Sequence, residues 1–318
     1  MSKPRVIVFG YSEVGYQCLE LLLRRQANIV AVFTHADNPT ENHWFRSVAD
    51  LARQHQVPVF TPETLSPPEC EAQLRTLAPD LMFSFYYRKM IPSRLLDLAP
   101  LGAFNMHGSY LPKYRGKAPV NWAVLQGATQ IGATLHYMVK RADAGDIVDQ
   151  EAVPIGPEET AAQIMEKVQQ AAIKVLERQL DNLLAGRAPR HPQDESQATY
   201  FSGRKPEDGR IQWTQPATVI FNLVRAVTRP YPGAFTDLMD ARMLVWWARP
   251  LPGATSGKPG EIVRVNPLTV ATGQGLLEIS DAQWVQRDNP AQSIPAPALQ
   301  PGQCFSDSPS ATLNPPPH

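Results

Sequence analysis

The chain has 318 residues, 43% hydrophobic and 19% charged, which is long enough for two domains with a sizeable core and ordinary for a soluble globular protein. Its 30 Lys and Arg balance 30 Asp and Glu, so it lacks the positive field that a phosphate-backbone binder builds from clustered cations, and a nucleic-acid substrate is not expected. Cys18, Cys70 and Cys304 show no CxxC or Cys/His pairing at ligand spacing, which implies a reduced, cytoplasmic protein with no metal site. The chain opens without a basic-then-apolar leader, and no apolar run approaches the roughly 18 residues of a membrane span, so neither export nor a spanning segment is expected.

In chain order, residues 5–10 form a continuous apolar run ending in Gly10, residues 14–23 carry apolar side chains at helical spacing, and residues 28–34 form a second apolar run. This is a βαβ unit of about 30 residues, which predicts parallel strands joined by a right-handed crossover. Further strands are predicted at 58–60 and 80–85, with helices over 48–54 and 68–77 between them. The turn after the first strand, GlyTyrSerGluValGly, lacks the three-glycine dinucleotide fingerprint, so no NAD site is expected despite a Rossmann-like layout.

Residues 102–109, GlyAlaPheAsnMetHisGlySer, have the apolar entry of a buried strand, and alternation puts Asn105 and His107 on one face at its end. Open α/β sheets place their ligand sites at the carboxyl ends of strands, where these two neutral hydrogen-bonding groups could receive an oxyanion. The following loop, 109–119, is rich in Gly, Pro and cations, a poor composition for a core connection. Residues 131–138 alternate as a strand in which His136 takes a flanking place, as a structural residue or one that supports the site's groups rather than as a ligand. Asp143 follows in an AlaAspAlaGlyAsp turn, then a strand over 147–153 and a long amphipathic helix over 160–184, stopped by AlaGly. A polar stretch, 187–196, reads as a linker.

From about Ala198 the pattern changes to short β runs at 234–238, 242–249, 260–265, 268–272 and 275–279, broken by Gly, Pro, Asn and Asp, with one helix over 217–227. A small β-barrel is predicted. After Asp288 the composition of Pro, Ser, Gln and Ala cannot bury enough apolar surface to offset ordering entropy, which predicts a disordered tail. The expected division is a catalytic domain over 1–190, a linker over 191–205, a β domain over 206–288 and a tail over 289–318.

Asn105, His107, the Ser109 to Pro112 loop and the distant Asp143 resemble the signature of the 10-formyltetrahydrofolate-dependent formyltransferases, and the resemblance runs from about Arg5 to about Ile279. HisAlaAspAsnPro (35–39), PheSerPheTyrTyrArg (83–88), LeuProLysTyrArgGly (111–116) and MetValLysArgAlaAspAlaGly (138–145) look like the formyltransferase half of the bifunctional enzyme that makes and formylates UDP-4-amino-4-deoxy-L-arabinose. The resemblance implies a Rossmann-like α/β domain followed by an OB-like barrel, no metal, 10-formyltetrahydrofolate as co-substrate, and a UDP-amino sugar as acceptor in lipid A modification and polymyxin resistance. In the bifunctional relatives a dehydrogenase domain would begin near residue 289, so either a stand-alone transferase or a piece of a larger enzyme fits.

It further implies that Asn105 orients and stabilises the developing oxyanion and that His107 donates a hydrogen bond or proton to it. Asp143 would favour the charged imidazole and help move the amine proton, as a neighbouring carboxylate does. Folate contacts are implied for the loops Lys89, Met90, Ile91 and Val139, Lys140, Arg141, Ala142, Asp143, and for Lys117. Tyr86 and Tyr87 fit either core packing or the folate site. A diphosphate calls for cations, and Lys113 and Arg115 are the candidates, with Arg204 and Arg225 behind them. The alternatives are a methionyl-tRNA formyltransferase, which would carry a basic insertion where this chain has the mildly acidic 35–43, a transferase for another nucleotide-linked amino sugar, and a non-catalytic folate- or nucleotide-binding module.

Overall fold

The computed structural model describes residues 3–36, 45–253 and 256–306. They divide into two compact units, Met1–Pro119 with Gln130–Pro154 and Met165–Phe201, and Val120–Thr129 with Ile155–Ile164 and Ser202–His318. The units therefore interleave along the chain, where the sequence suggested two consecutive blocks.

The first unit opens with β1 (Arg5–Gly10), α1 (Ser12–Arg24), β2 (Asn28–Phe33), α2 (Val48–Gln54), β3 (Val59–Phe60), α3 (Pro68–Leu77) and β4 (Leu81–Phe85). A short α4 (Ser93–Leu96), β5 (Ala103–His107) and β6 (Arg115–Gly116) follow; after α5 (Pro119–Leu125), which falls almost wholly in the second unit, come β7 (Gln130–Tyr137), β8 (Ile147–Pro154), α6 (Ala161–Leu184), whose first turn is also in the second unit, and β9 (Tyr200–Phe201). Strands β1 and β4 are buried almost throughout, as expected of strands covered on both faces. Under them lies a core that includes Ile7, Phe9, Phe33, Met82 and Leu95. Ser47 starts α2 by accepting a hydrogen bond from the Asp50 amide at 3.2 Å.

The sheet order is β3-β2-β1-β4-β5-β7-β8. The strands through β5 pair in parallel, whereas β5, β7 and β8 pair antiparallel; between β7 and β8 the short connection 138–146 cannot make the crossover that a parallel pair needs. Register then does the positioning. Asn105 stands directly opposite His136, and His107 opposite Thr134, so these side chains share one face at the carboxyl edge of the parallel strands.

The stretch expected to be a linker is fastened to this unit. β9 pairs in parallel with β6, and the Arg115 amide donates to the Thr199 carbonyl at 2.8 Å.

The second unit contains α7 (Ala217–Val227), β10 (Ala234–Leu238), β11 (Ala241–Leu251), β12 (Ile262–Arg264), β13 (Leu268–Ala271), β14 (Leu276–Gln286) and β15 (Asn289–Ser293). Its antiparallel sheet runs β10-β11-β14-β13-β12, with β15 on β14, and register shifts in the long β11/β14 ribbon let it curl as a half-barrel.

The disordered tail predicted from residue 289 needs correction. Asn289–Ser293 is a strand, the Gln303 carbonyl accepts from the Ile262 amide at 2.8 Å, and the Ser306 amide donates to the Asp237 carbonyl at 3.0 Å. Composition missed it because one aromatic anchors the segment. Phe305 is 3% exposed and stacks on Trp213 with centroids 5.6 Å apart. Residues 307–318 lie outside the described residues. Phe305→Ala is expected to destabilise the protein by about 3 kcal/mol, read by urea denaturation of the full chain. A change below about 0.5 kcal/mol, the size of a surface substitution, would contradict this packing.

Candidate active site

Three loops meet over the carboxyl edge of β4 and β5, and four non-glycine residues there hold left-handed backbone: Tyr86 (φ 57°), Tyr114 (φ 60°), Ala118 (φ 51°) and Asp143 (φ 55°). Such conformations persist only where surrounding bonds impose them, and they gather at functional sites. Gly116, with φ 98°, is constrained further, since a Cβ there would lie 2.2 Å from the Phe201 carbonyl oxygen. Between the loops lies a cavity of about 450 Å³ with Asn105, His107, His136 and Asp143 in its lining.

The side chains form one connected cluster. Asp143 Oδ1 lies 3.6 Å from His107 Nδ1, 3.5 Å from His136 Nε2 and 3.4 Å from Asn105 Nδ2, which donates to it. Asp143 Oδ2 accepts the Gly116 amide at 2.8 Å. His107 Nε2 is 2.8 Å from the Tyr114 carbonyl, and because a carbonyl only accepts, that nitrogen carries a hydrogen. Nδ1 is then the nitrogen turned toward Asp143 and the cavity, at a spacing longer than a hydrogen bond, as is common before a substrate tightens a site.

His136 follows the same logic. Its Nδ1 donates to the Tyr137 carbonyl at 2.8 Å, so in the neutral ring Nε2 presents a lone pair to Asn105 Nδ2 at 3.1 Å. From sequence, His136 reads as a structural residue or one supporting the groups at the site rather than as a ligand, since no metal-type group is near it in the chain. Strand register places it in the cluster, holding the amide of Asn105. His136→Phe, which keeps bulk and removes the acceptor, is expected to lower turnover roughly 10- to 100-fold through misorientation of Asn105. Steady-state kinetics at wild-type turnover would contradict it.

Burial opposes ionisation of Asp143, but the nearby His107 and His136 rings and the Gly116 amide outweigh it and hold the carboxyl well below the usual carboxylate range. Asp143 is thus a fixed anion at the cavity wall, able to accept a proton from an incoming group.

Of the residues implied as folate contacts, Lys89, Met90, Ile91, Lys117, Val139 and Ala142 line the cavity with Asp143. Lys89 spends its ammonium on the carbonyls of Pro62 and Glu63, leaving its backbone for a ligand. Met90 and Val139 are 61% and 43% exposed, an apolar rim. Lys140 and Arg141 do not line the cavity, and Arg141 turns to Glu195 at 3.0 Å. Tyr86 lines the cavity, and so does Tyr87, whose ring stacks on His35 with centroids 4.3 Å apart.

The cations expected to hold a diphosphate need correction. Arg115 is 0% exposed, and its guanidinium is taken up by Gln193, Glu195 and Tyr200. Lys113 is exposed and outside the cavity lining. In the second unit, Arg225 is buried against Asn222 and the carbonyls of Gly156 and Glu159, and Arg204 lies over Trp122 while donating to the Asp208 carbonyl at 3.0 Å. A loop rich in cations looks the same in sequence whether its arginine faces solvent or locks the loop in place. The acidic segment 35–43 lies mostly outside the described residues.

A mostly parallel α/β sheet carries Asn105, His107 and His136 toward its strand ends, with the ionised Asp143 in the turn beside them, and a curled antiparallel sheet follows. Residues 4–180 match the family model described as formyl transferase, and residues 204–292 match formyl transferase, C-terminal domain. The chain belongs to the formyl transferase family, and it is a formyltransferase.

Solved structures of similar fold include an N-formyltransferase from Helicobacter canadensis in complex with folinic acid and dTDP-3-aminofucose, 18% identical over 89% of this chain and 100% of that one, with a TM-score of 0.67. WlaRD, a sugar 3N-formyl transferase solved with dTDP and 5-N-formyl-THF, is 15% identical over 89% of this chain and 98% of that one, with a TM-score of 0.68. HypX from Aquifex aeolicus in complex with tetrahydrofolic acid is 21% identical over 90% of this chain and 45% of that one, with a TM-score of 0.60. At these identities the likeness shows the shared fold.

Proposed function

We propose that the chain transfers the formyl group of 10-formyltetrahydrofolate to the amine of a nucleotide-linked amino sugar, with UDP-4-amino-4-deoxy-L-arabinose as acceptor, in lipid A modification and polymyxin resistance. The observation that carries this reading is the cluster of Asn105, His107 and Asp143 at a cavity lined largely by loop residues.

The chemistry follows from the geometry. The neutral amine attacks the formyl carbon, forming a C–N bond while the carbonyl π electrons move to oxygen. Asn105 Nδ2, on giving up its long 3.4 Å contact with Asp143, and His107 Nδ1, when the ring carries a second proton, are the groups placed to donate to that oxygen, and such donors each contribute about 3 to 4 kcal/mol of transition-state stabilisation. Asp143 takes the proton that the amine nitrogen sheds, directly or through a water. Collapse of the intermediate returns the oxygen's electron pair to re-form the carbonyl and breaks the bond to folate N10, which receives the proton held by Asp143 and leaves as tetrahydrofolate.

The acceptor class is favoured by the zero net charge, which counts against tRNA, and by the amino-sugar nucleotide named in the Helicobacter canadensis structure. The UDP-arabinose acceptor rests on the motifs at 83–88, 111–116 and 138–145. The test is mass spectrometry of products after 10-formyltetrahydrofolate is mixed with UDP-4-amino-4-deoxy-L-arabinose, dTDP-linked amino sugars or charged initiator tRNA. A formylated UDP-arabinose product is expected. A formylated dTDP-sugar alone would move the assignment to another nucleotide sugar, and formylated methionyl-tRNA alone would overturn the amino-sugar reading.

A further inference from the structure

The polar stretch after α6 reaches both loops that carry the cluster, and it does so through one side chain. Gln193 Nε2 donates to the Asp143 carbonyl at 2.8 Å and to the Gly145 carbonyl at 2.7 Å. Its Oε1 accepts from Arg115 Nε at 3.1 Å and Nη2 at 2.7 Å. Arg115 is fully buried, and its remaining hydrogens go to Glu195, at 2.6 and 3.1 Å, and to the Tyr200 hydroxyl at 2.6 Å. On either side of Arg115 in the chain stand the Tyr114 carbonyl that accepts from His107 and the Gly116 amide that donates to Asp143 Oδ2.

We infer that Gln193 is a positioning residue for formyl transfer: it clips the Asp143 turn to the loop of residues 114–116, so that the carboxylate, the Gly116 amide and the anchored His107 ring keep one geometry. The turn needs such a clip. Asp143 holds left-handed backbone at φ 55°, a conformation unfavourable for a residue with a side chain unless neighbouring bonds impose it. A single amide suits the task because it donates to two carbonyls with one end while accepting from a guanidinium with the other, joining three partners in a partly buried network.

The inference rests on the reading that Asp143 receives the amine's proton, and it separates from a purely structural role by what the variants change. Gln193→Ala is expected to lower kcat roughly 10- to 100-fold with KM for both substrates within about threefold, as for a misplaced catalytic group. Gln193→Glu is isosteric but turns an acceptor toward the two carbonyls. Beside the Arg115 guanidinium the new carboxyl stays ionised between about pH 5.5 and 8, so kcat is expected to fall at least as far as in Gln193→Ala throughout that range.

Amide hydrogen exchange at Gly116 gives a readout that needs no turnover, and both variants are expected to quicken it at least roughly tenfold at neutral pH as the bond to Asp143 loosens. The inference is overturned if Gly116 exchange and kcat both stay at wild-type values. It is overturned equally if the variants merely lose thermal stability while kcat stays at the wild-type value at temperatures where they remain folded. Should wild type formylate none of the amines offered, the proposed acceptor falls, and Gly116 exchange still decides whether Gln193 holds the carboxylate.

Discussion

Asp143→Asn is expected to fold and bind folate like wild type while losing about 10² to 10⁴ in kcat, the range for a misplaced or missing general base. Asparagine keeps the shape and can still accept the Gly116 amide that now meets Oδ2 at 2.8 Å. What it loses is the fixed negative charge beside His107 and the ability to take a proton. Folate titration by fluorescence, alongside steady-state kinetics, separates binding from chemistry. Wild-type turnover in this variant would remove Asp143 from the mechanism.

The same substitution should alter stability against pH. The folded carboxyl titrates below its unfolded value, held there by the histidines and the Gly116 amide against the opposing effect of burial. Its stabilisation is therefore fully present above the unfolded pKa of about 4 and is lost as pH falls toward the folded value. The stability difference between wild type and Asp143→Asn is expected to shrink as pH drops below about 4, measured by urea unfolding across that window.

The second large effect belongs to the oxyanion donors. Asn105→Ala and His107→Ala are each expected to cost about 10² to 10³ in kcat, equal to the loss of one preorganised donor. His107→Ala should also cost about 1 to 3 kcal/mol of stability, because the Tyr114 carbonyl that now accepts from Nε2 loses its partner in a half-buried place. Asn105→Ala lacks that penalty, since the groups it touches, His136 and Asp143, have other hydrogen-bond partners. Kinetics and denaturation on both variants distinguish the two side chains. Equal stability losses would mean that the His107 anchor is not what the 2.8 Å contact suggests.

Much of this was legible in the sequence because periodicity is local. The apolar runs at β1, β2 and β4 and the helices over 48–54, 68–77 and 217–227 follow from spacing alone, and the structure has them. Alternation put Asn105 and His107 on one face of β5, where the structure has them with Asp143.

What sequence could not show was long-range register and competition for partners. His136 enters the cluster only because β5 and β7 pair antiparallel, and nothing near either strand states that pairing. Arg115 in a basic loop suggests a phosphate ligand until the distant Gln193, Glu195 and Tyr200 are seen to occupy it. The tail beyond residue 289 is polar on average, yet Phe305 and a few backbone bonds order it. Composition averages over the one contact that decides.

The most direct measurement is a double-mutant cycle on kcat between His107→Ala and Asp143→Asn, with folate binding followed in each variant. If the two side chains work as one unit on the migrating formyl group, the double variant should be little slower than the worse single variant, since removing either partner already disables the pair. Losses that multiply in full would show that the two act independently and would contradict a shared role at the tetrahedral intermediate.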